Sequence, residues 1–194
     1  MAVRGVPTVF EHGPQAEATA RFWAGLLFDT WIDVLDSGEL HVPDRAIAVR
    51  ESWVDDFDHI GLVFDNPIGV DREGRLHPYP ETARTSDSGF APLPEELGVL
   101  LHRVAERLPE RSLVIAGNGV ATQDDEWRES TLRETLDIVE QVVDDGIKLH
   151  GYFHDTAIDG YEWRAGFGTQ RGLIDRDRSV KESGRFLQAY LASC

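Results

Sequence analysis

Apolar and polar residues repeat along this chain with two different periods, and the switches between them mark its elements. Residues 6–10 (Val-Pro-Thr-Val-Phe) form a short β-type run closed by Glu11-His12-Gly13-Pro14. From residue 15 to 35 the period lengthens. Ala16, Ala20, Trp23, Leu27, Trp31 and Leu35 recur three or four apart, which predicts a helix with one buried face. Gly38 is placed to end it. Between Pro43 and Trp53 the pattern is mixed, and residues 46–48 fit either a strand or the end of a surface helix. Residues 60–64 (Ile-Gly-Leu-Val-Phe) read as a buried strand that ends on Asp65, followed by a Gly/Pro-rich loop over 66–80 with His77 and Tyr79. A second helix starts near Pro92, with acids in its first turn and Leu97, Leu100, Leu101 and Val104 on one face. Residues 112–116 form the next strand and run into Gly117-Asn118-Gly119. The third helix spans 129–145, with a stripe of Leu132, Leu136, Val139, Val142 and Val143 stopped by Gly146. The last strand, 149–153, breaks into a polar run from His154 to Trp163, and a basic segment at 176–181 leads into a final helix.

Strand and helix alternate through four units in one domain over residues 1–194. That order predicts an α/β fold with parallel strands. Each strand ends in polar residues, as the upper face of a β/α barrel requires. Four parallel strands cannot close into a barrel, which leaves two open edges and a concave face to cover. The expected apolar layer on that face includes Leu62 and Ile115. A parallel sheet is buried on both sides, so self-association into a homodimer is the expected completion.

Charge narrows the partners. A formal net charge of −16 repels nucleic acid and anionic membrane surfaces, so neither is expected. The single Cys, Cys194, excludes an internal disulfide and a Cys-based metal cluster. No apolar run approaches the roughly 20 residues of a membrane span. The first residues lack a signal-peptide pattern, which makes a cytoplasmic location the expectation. His150 and His154 stand four apart, but on a strand that is roughly 13 Å, too far to share an ion. Gly117-Asn118-Gly119 lacks the Gly pattern and the Lys of a phosphate loop. No metal and no cofactor are expected.

The candidate chemistry lies where strands end. Glu11, Asp65, His154 and Asp155 stand at or just past such ends, which converge in a barrel. A His beside carboxylates can act as general acid or base near neutral pH. The alternative is that the carboxylates face solvent and His154 packs in the wall. His59 and His102 read as structural, whereas Asn118 and Thr156 are candidate donors.

Residues 151–163, Gly-Tyr-Phe-His-Asp-Thr-Ala-Ile-Asp-Gly-Tyr-Glu-Trp, resemble the pattern G-Y-F-x-W-S-x-x-D-N-F-E-W near the end of glycoside hydrolase family 1, the β-glucosidase family. Gly172-Leu173, then Arg178, Lys181 and Ser183, resemble its closing G-L and R-x-x-K-x-S. Upstream, residues 56–65 resemble D-F-I-G-L-N-Y-Y, residues 85–90 resemble T-D-x-G-W, and residues 115–119 resemble I-T-E-N-G. The resemblance implies the second half of a TIM barrel, a (β/α) half-barrel.

The resemblance also implies losses. Gly117 stands where the family has its nucleophilic Glu, Phe64 where it has the orienting Tyr, and Asp155 where it has a Trp. The Asn-Glu-Pro of the acid/base is missing. Retaining hydrolysis needs two carboxyl groups roughly 5 Å apart, so it is not expected. Glu162 and Trp163 match the pair that holds sugar hydroxyls, which implies a hydroxylated or glycosidic ligand. Three readings stay open. One is a small-molecule enzyme with acid/base chemistry on Asp65, His154, Asp155 or Glu11, its substrate held by Glu162, Trp163, Asn118 and Phe64. Another is a non-catalytic sugar-binding module. The third is one half of a split glycosidase.

Overall fold

A computed structural model describes residues 2–4, 7–42, 44–76, 79–163 and 165–193. Val6, Pro43, His77 and Cys194, all considered above, lie outside the described residues. The chain runs β1 (Ala2–Arg4), β2 (Pro7–Val9), α1 (Pro14–Ala24), a π-helical turn (Gly25–Asp29), α2 (Thr30–Ser37), β3 (Glu39–Leu40), β4 (Ala48–Val49) and a 3-10 turn (Glu51–Val54). It continues with β5 (His59–Val63), β6 (Ile68–Val70), α3 (Glu95–Arg107), β7 (Ser112–Asn118), α4 (Asp125–Asp144), β8 (Leu149–His154) and α5 (Glu182–Leu191). No helix among the described residues is long and apolar enough to cross a membrane.

The main sheet has four strands in the order β1-β5-β7-β8, all parallel. This is the α/β half-barrel that the alternation predicted. Two pieces were not legible. The strand β1 is three residues long, and β6 lies inside the stretch read as a loop. The pair β2–β6 extends the β1–β5 pair beyond the sheet as a separate parallel ribbon. Residues 48–49 are strand, paired antiparallel with β3.

The helices form for the expected reasons, with one revision. The Asp124 side chain accepts from the Trp127 amide at 3.1 Å and caps α4, so this helix begins four residues before the 129 predicted from its apolar stripe. Gly38, at φ 76°, ends α2; a Cβ there would lie 2.5 Å from the Arg50 carbonyl oxygen. The π turn at Gly25–Asp29 inserts an extra residue per turn and rotates the buried stripe by one position. Ala24, Phe28, Ile32 and Leu35 are buried, while Leu27 and Trp31, predicted for the core face, are exposed. Thr30 Oγ1 donates to the Gly25 carbonyl at 2.6 Å and to the His41 carbonyl at 2.9 Å, which holds the turn against β3.

The core lies between sheet and helices. Ile60 and Leu62 of β5 and Leu113 and Ile115 of β7 meet Phe28, Ile32 and the Leu97–Leu101–Val104 face of α3. Burial of each such side chain stabilises by about 1.5–3 kcal/mol. Leu62 and Ile115 therefore face the helices, not the concave side where they were expected. The side chains that alternate with them carry the concave face: Gly61, Val63, Val114, Ala116 and, from β8, Gly151 and Phe153. Strand β8 bulges, because two steps of β7 (Leu113 to Ile115) match three of β8 (Leu149 to Tyr152).

Candidate functional site

Above the C-terminal ends of β5, β7 and β8 lies an open cleft of about 800 Å³. Asp65 enters from the end of β5 and Asp155 from the end of β8. Asp87 and Ser88 come from the loop before α3, and Glu162, Trp163 and Arg171 from the long segment between β8 and α5. Half of the sequence-predicted residues thus meet: Asp65, Asp155, Glu162 and Trp163 line one space.

Sequence reasoning missed its central group. Arg171 Nη2 lies 2.6 Å from Asp65 Oδ1 and 3.2 Å from Asp155 Oδ2, so one nitrogen bridges the two carboxylates. The guanidinium is mostly buried, and its Nε has no hydrogen-bond partner. A signal existed: an Arg immediately before the Gly172-Leu173 run, in a chain with far more acids than bases.

His154 sits behind the cleft wall rather than in it. Its Nε2 is 3.3 Å from the Arg171 carbonyl oxygen, and its Nδ1 is buried without a partner. Burial pushes its pKa down to about 4; the Arg171 carbonyl opposes that shift, and the positive charges of Arg128 and Arg171 add to it. The imidazole is therefore neutral at pH 7.

The remaining candidates stand elsewhere. Glu11 is exposed just past β2 and does not line the cleft. Phe64 is buried in the helix-side core. Asn118 spends both ends of its amide on the sheet: Nδ2 donates to the Phe64 carbonyl at 2.6 Å, and Oδ1 accepts from the Tyr152 hydroxyl at 3.0 Å. Burial, and then the charge of Asp65, raise the Tyr152 pKa above the usual phenol range. Thr156 Oγ1 donates to the Ile158 carbonyl at 3.2 Å. The rings of His59 and His150 meet at a tilt, 5.6 Å apart, near the start of their strands and away from the cleft. Among the described residues no three His, Cys, Asp or Glu side chains converge as metal ligands.

Gly117 lies near the end of β7, beside the cleft lining. A Cβ built on it would point at Val63 (3.6 Å) and at the Asp155 Cβ (3.7 Å), in ordinary contact with both. A longer side chain at this position would enter the cleft. Trp163 is 92% exposed at the rim, beside Tyr161 and Phe167, whose rings meet edge to face at 5.3 Å. The cleft thus joins a polar floor, centred on one bridged cation, to an aromatic lip, a combination suited to hydroxyl groups and flat apolar faces together.

A sheet of this order, helices on one side and a polar cleft at the carboxyl ends of the strands define half of a β/α barrel with its functional face open. The model of glycosyl hydrolase family 1 matches residues 67–193, and the chain belongs to that family. It is 33% identical over 99 residues to a β-galactosidase of Sulfolobus acidocaldarius, covering 50% of this chain and 20% of that protein. It is 30% identical over 112 residues to a chloroplastic galactolipid galactosyltransferase of Arabidopsis thaliana, covering 57% of this chain and 18% of that one. A β-glucosidase of Thermotoga maritima, solved in complex with glucoimidazole, superposes with a TM-score of 0.82 at 18% identity, over 98% of this chain and 50% of its own. The chain spans about a fifth of the length of those curated relatives and half of that structure.

Proposed function

We propose that the cleft binds a hydroxylated ligand, a sugar or a glycoside, and that this chain by itself does not perform retaining glycoside hydrolysis. The observation that carries the reading is Gly117. Its Cβ position lies between Val63 and Asp155, both of the cleft lining, and it has no side chain. A retaining site needs a carboxylate nucleophile facing an acid/base. Of the four carboxylates that line the cleft, Asp65 and Asp155, at the strand ends, share a guanidinium instead. The family relationship supports a carbohydrate as ligand class, and Glu162 with the exposed Trp163 supplies a carboxylate acceptor and an apolar ring for it.

Two measurements test this. Titration calorimetry with glucose, galactose and their aryl β-glycosides is expected to show binding that Glu162→Ala and Trp163→Ala each weaken about tenfold or more, by loss of a charge-assisted hydrogen bond or a stacking face. Turnover of the same glycosides is expected at background, and Gly117→Glu alone is expected to leave it there. Wild-type hydrolysis well above background that a cleft substitution abolishes would overturn the reading.

A second reading, acid/base chemistry on a bound small molecule, rests on one asymmetry. The Asp155 side chain is half exposed and holds Arg171 by the longer contact, whereas Asp65 is more buried and holds it by the shorter. A ligand can displace Asp155 from Arg171 and leave it as a base. Asp155→Asn would then remove turnover while sparing binding; if binding falls equally, Asp155 is a ligand contact and no base.

A further inference from the structure

The concave face of the sheet is open in a single chain. Its central residues are small, Gly61, Ala116 and Gly151, flanked by Val63 and Val114. Beyond the His59–His150 ring pair near the strand starts, one large apolar ring stands among them: Phe153 is 62% exposed and leans on its own Gly151, where a Cβ would lie 3.6 Å from Phe153 Cε2. The chain has 35 acidic residues, yet none of the described residues on the concave side of β5, β7 or β8 is a carboxylate. Carboxylates are absent from the concave side of these three strands, Arg4 of β1 stands in register with Val63, and no helix among the described residues covers this face.

The geometry points to a second copy of this chain as the cover, with both copies closing one eight-stranded barrel. The sheet has two open edges, β1 and β8. A two-fold axis along the barrel, parallel to the strands, lays β8 of one copy beside β1 of the other and repeats the contact on the opposite side. Every new pairing is parallel, and one operator satisfies both edges. Eight strands is the number at which side chains just fill a barrel interior. The strands are already curved for it, since 98% of the chain superposes on half of a β-glucosidase chain with a TM-score of 0.82. The same axis sets Phe153 of each copy against the small residues of the other, a self-complementary knob and hole. A net charge of −16 on each copy opposes the encounter, so the contact must bury apolar area above about 1,000 Å². Pairing two edges and one sheet face draws that area from strands β5, β7 and β8, whose concave residues include no carboxylate.

The pairing also completes the site. Val63 belongs both to the concave face and to the cleft lining. Closure therefore places the two clefts around one mouth, and each Asp65–Arg171–Asp155 cluster faces the other copy's cluster instead of open water. The assembly stands independently of the ligand proposed above.

Sedimentation equilibrium on the full 194-residue chain tests it. The expected result is a dimer at micromolar concentration. Phe153→Glu, at an exposed position outside the core, is expected to raise the dimer dissociation constant by roughly 30-fold or more, as loss of a central interface residue does. Ala116→Arg should do the same and serves if the first variant does not fold by circular dichroism. Trp163→Ala, on the lip, should leave the dimer intact. A wild-type chain that is monomeric at 100-fold higher than about micromolar concentration, or a dimer indifferent to both concave-face substitutions, overturns the proposal.

Discussion

His154 shows what a single buried group does to the pH response of the protein. Its pKa is depressed from 6.5 to about 4 because burial penalises the imidazolium. The unfolded chain therefore takes up a proton at higher pH than the folded one. The stability tied to the neutral ring is fully present above pH 6.5 and is lost as pH falls towards 4. A depression of this size corresponds to roughly 3 kcal/mol. His102 has the opposite sign. The Gly98 carbonyl, aided by Asp145, raises its pKa, so its contribution is present below pH 6.5 and disappears as pH rises through the shifted value. Thermal melts of the wild type are expected to drop between pH 6.5 and 4. In His154→Gln that slope should flatten while the pH 7 stability falls only modestly. An unchanged slope would mean that the ring is solvated in the native state. At this scale the sequence was readable only in part. It placed Asp65, Asp155, Glu162 and Trp163 at the mouth, because strand ends and the following polar run are visible in the order of residues. It did not separate His154 in the wall from Asp155 in the cleft, since adjacent residues on a strand point to opposite sides and the phase is set by a bulge that no residue type announces.

Among the elements, the segment between β8 and α5 relies on charge rather than on apolar packing. Asp159 Oδ2 lies 2.7 Å from Lys181 Nζ, and both side chains are nearly buried. Asp159 Oδ1 accepts from the Gly172 amide at 2.7 Å, and Lys181 Nζ donates to the Gly172 carbonyl at 2.8 Å. Gly172 is thus held at both backbone poles by one ion pair, and a Cβ there would lie 2.3 Å from the Asp159 nitrogen. At the end of the segment, Ser183 donates through its amide and hydroxyl to Asp125, the carboxylate that also meets the buried Arg128. Lys181→Met strands a buried carboxylate and is expected to cost about 3–5 kcal/mol, read as a lowered urea midpoint. Asp159→Asn combined with Lys181→Met should cost clearly less than Lys181→Met alone. If the double variant is the weaker, the pair stabilises by itself rather than by mutual neutralisation. Elements of this kind are hard to foresee. The helices announced themselves through apolar periodicity, while this segment has no period, and its order comes from contacts over distances in sequence that no local pattern encodes.

For the whole molecule the governing fact is the excess of acids. Ion pairs such as Arg103–Asp29, Arg107–Asp33 and Lys148–Glu110 use bases that are few, and many carboxylates repel one another across the surface. Exposed pairs of this kind contribute about 0–1 kcal/mol each and weaken with salt, but the net repulsion weakens too. With a net charge of −16 the second effect is expected to win. The melting temperature should rise between roughly 0.01 and 0.5 M sodium chloride. A fall over that range would show that specific pairs outweigh the overall field. The parallel α/β plan was legible because four alternations of period leave few other topologies. The side of the sheet on which Leu62 and Ile115 lie was not, because a fully apolar strand gives no alternation to read.

The bulge in β8 has the effect of a reading frame. Before it, Leu149 faces the helices and His150 does not; after it, Tyr152 packs on the helix side and Phe153 stands on the open one. One surplus residue has inverted the parity of everything downstream. Were the bulge flattened into a regular strand with every residue kept, Tyr152 and Phe153 would exchange faces. The Tyr152 hydroxyl would swing away from Asn118, and Phe153 would be driven into the space between β7 and α4. Asp155 would turn out of the cleft as His154 turned in. A chain of this kind therefore changes which side chain meets the ligand by gaining or losing one bulge, leaving the chemical vocabulary of the rim untouched.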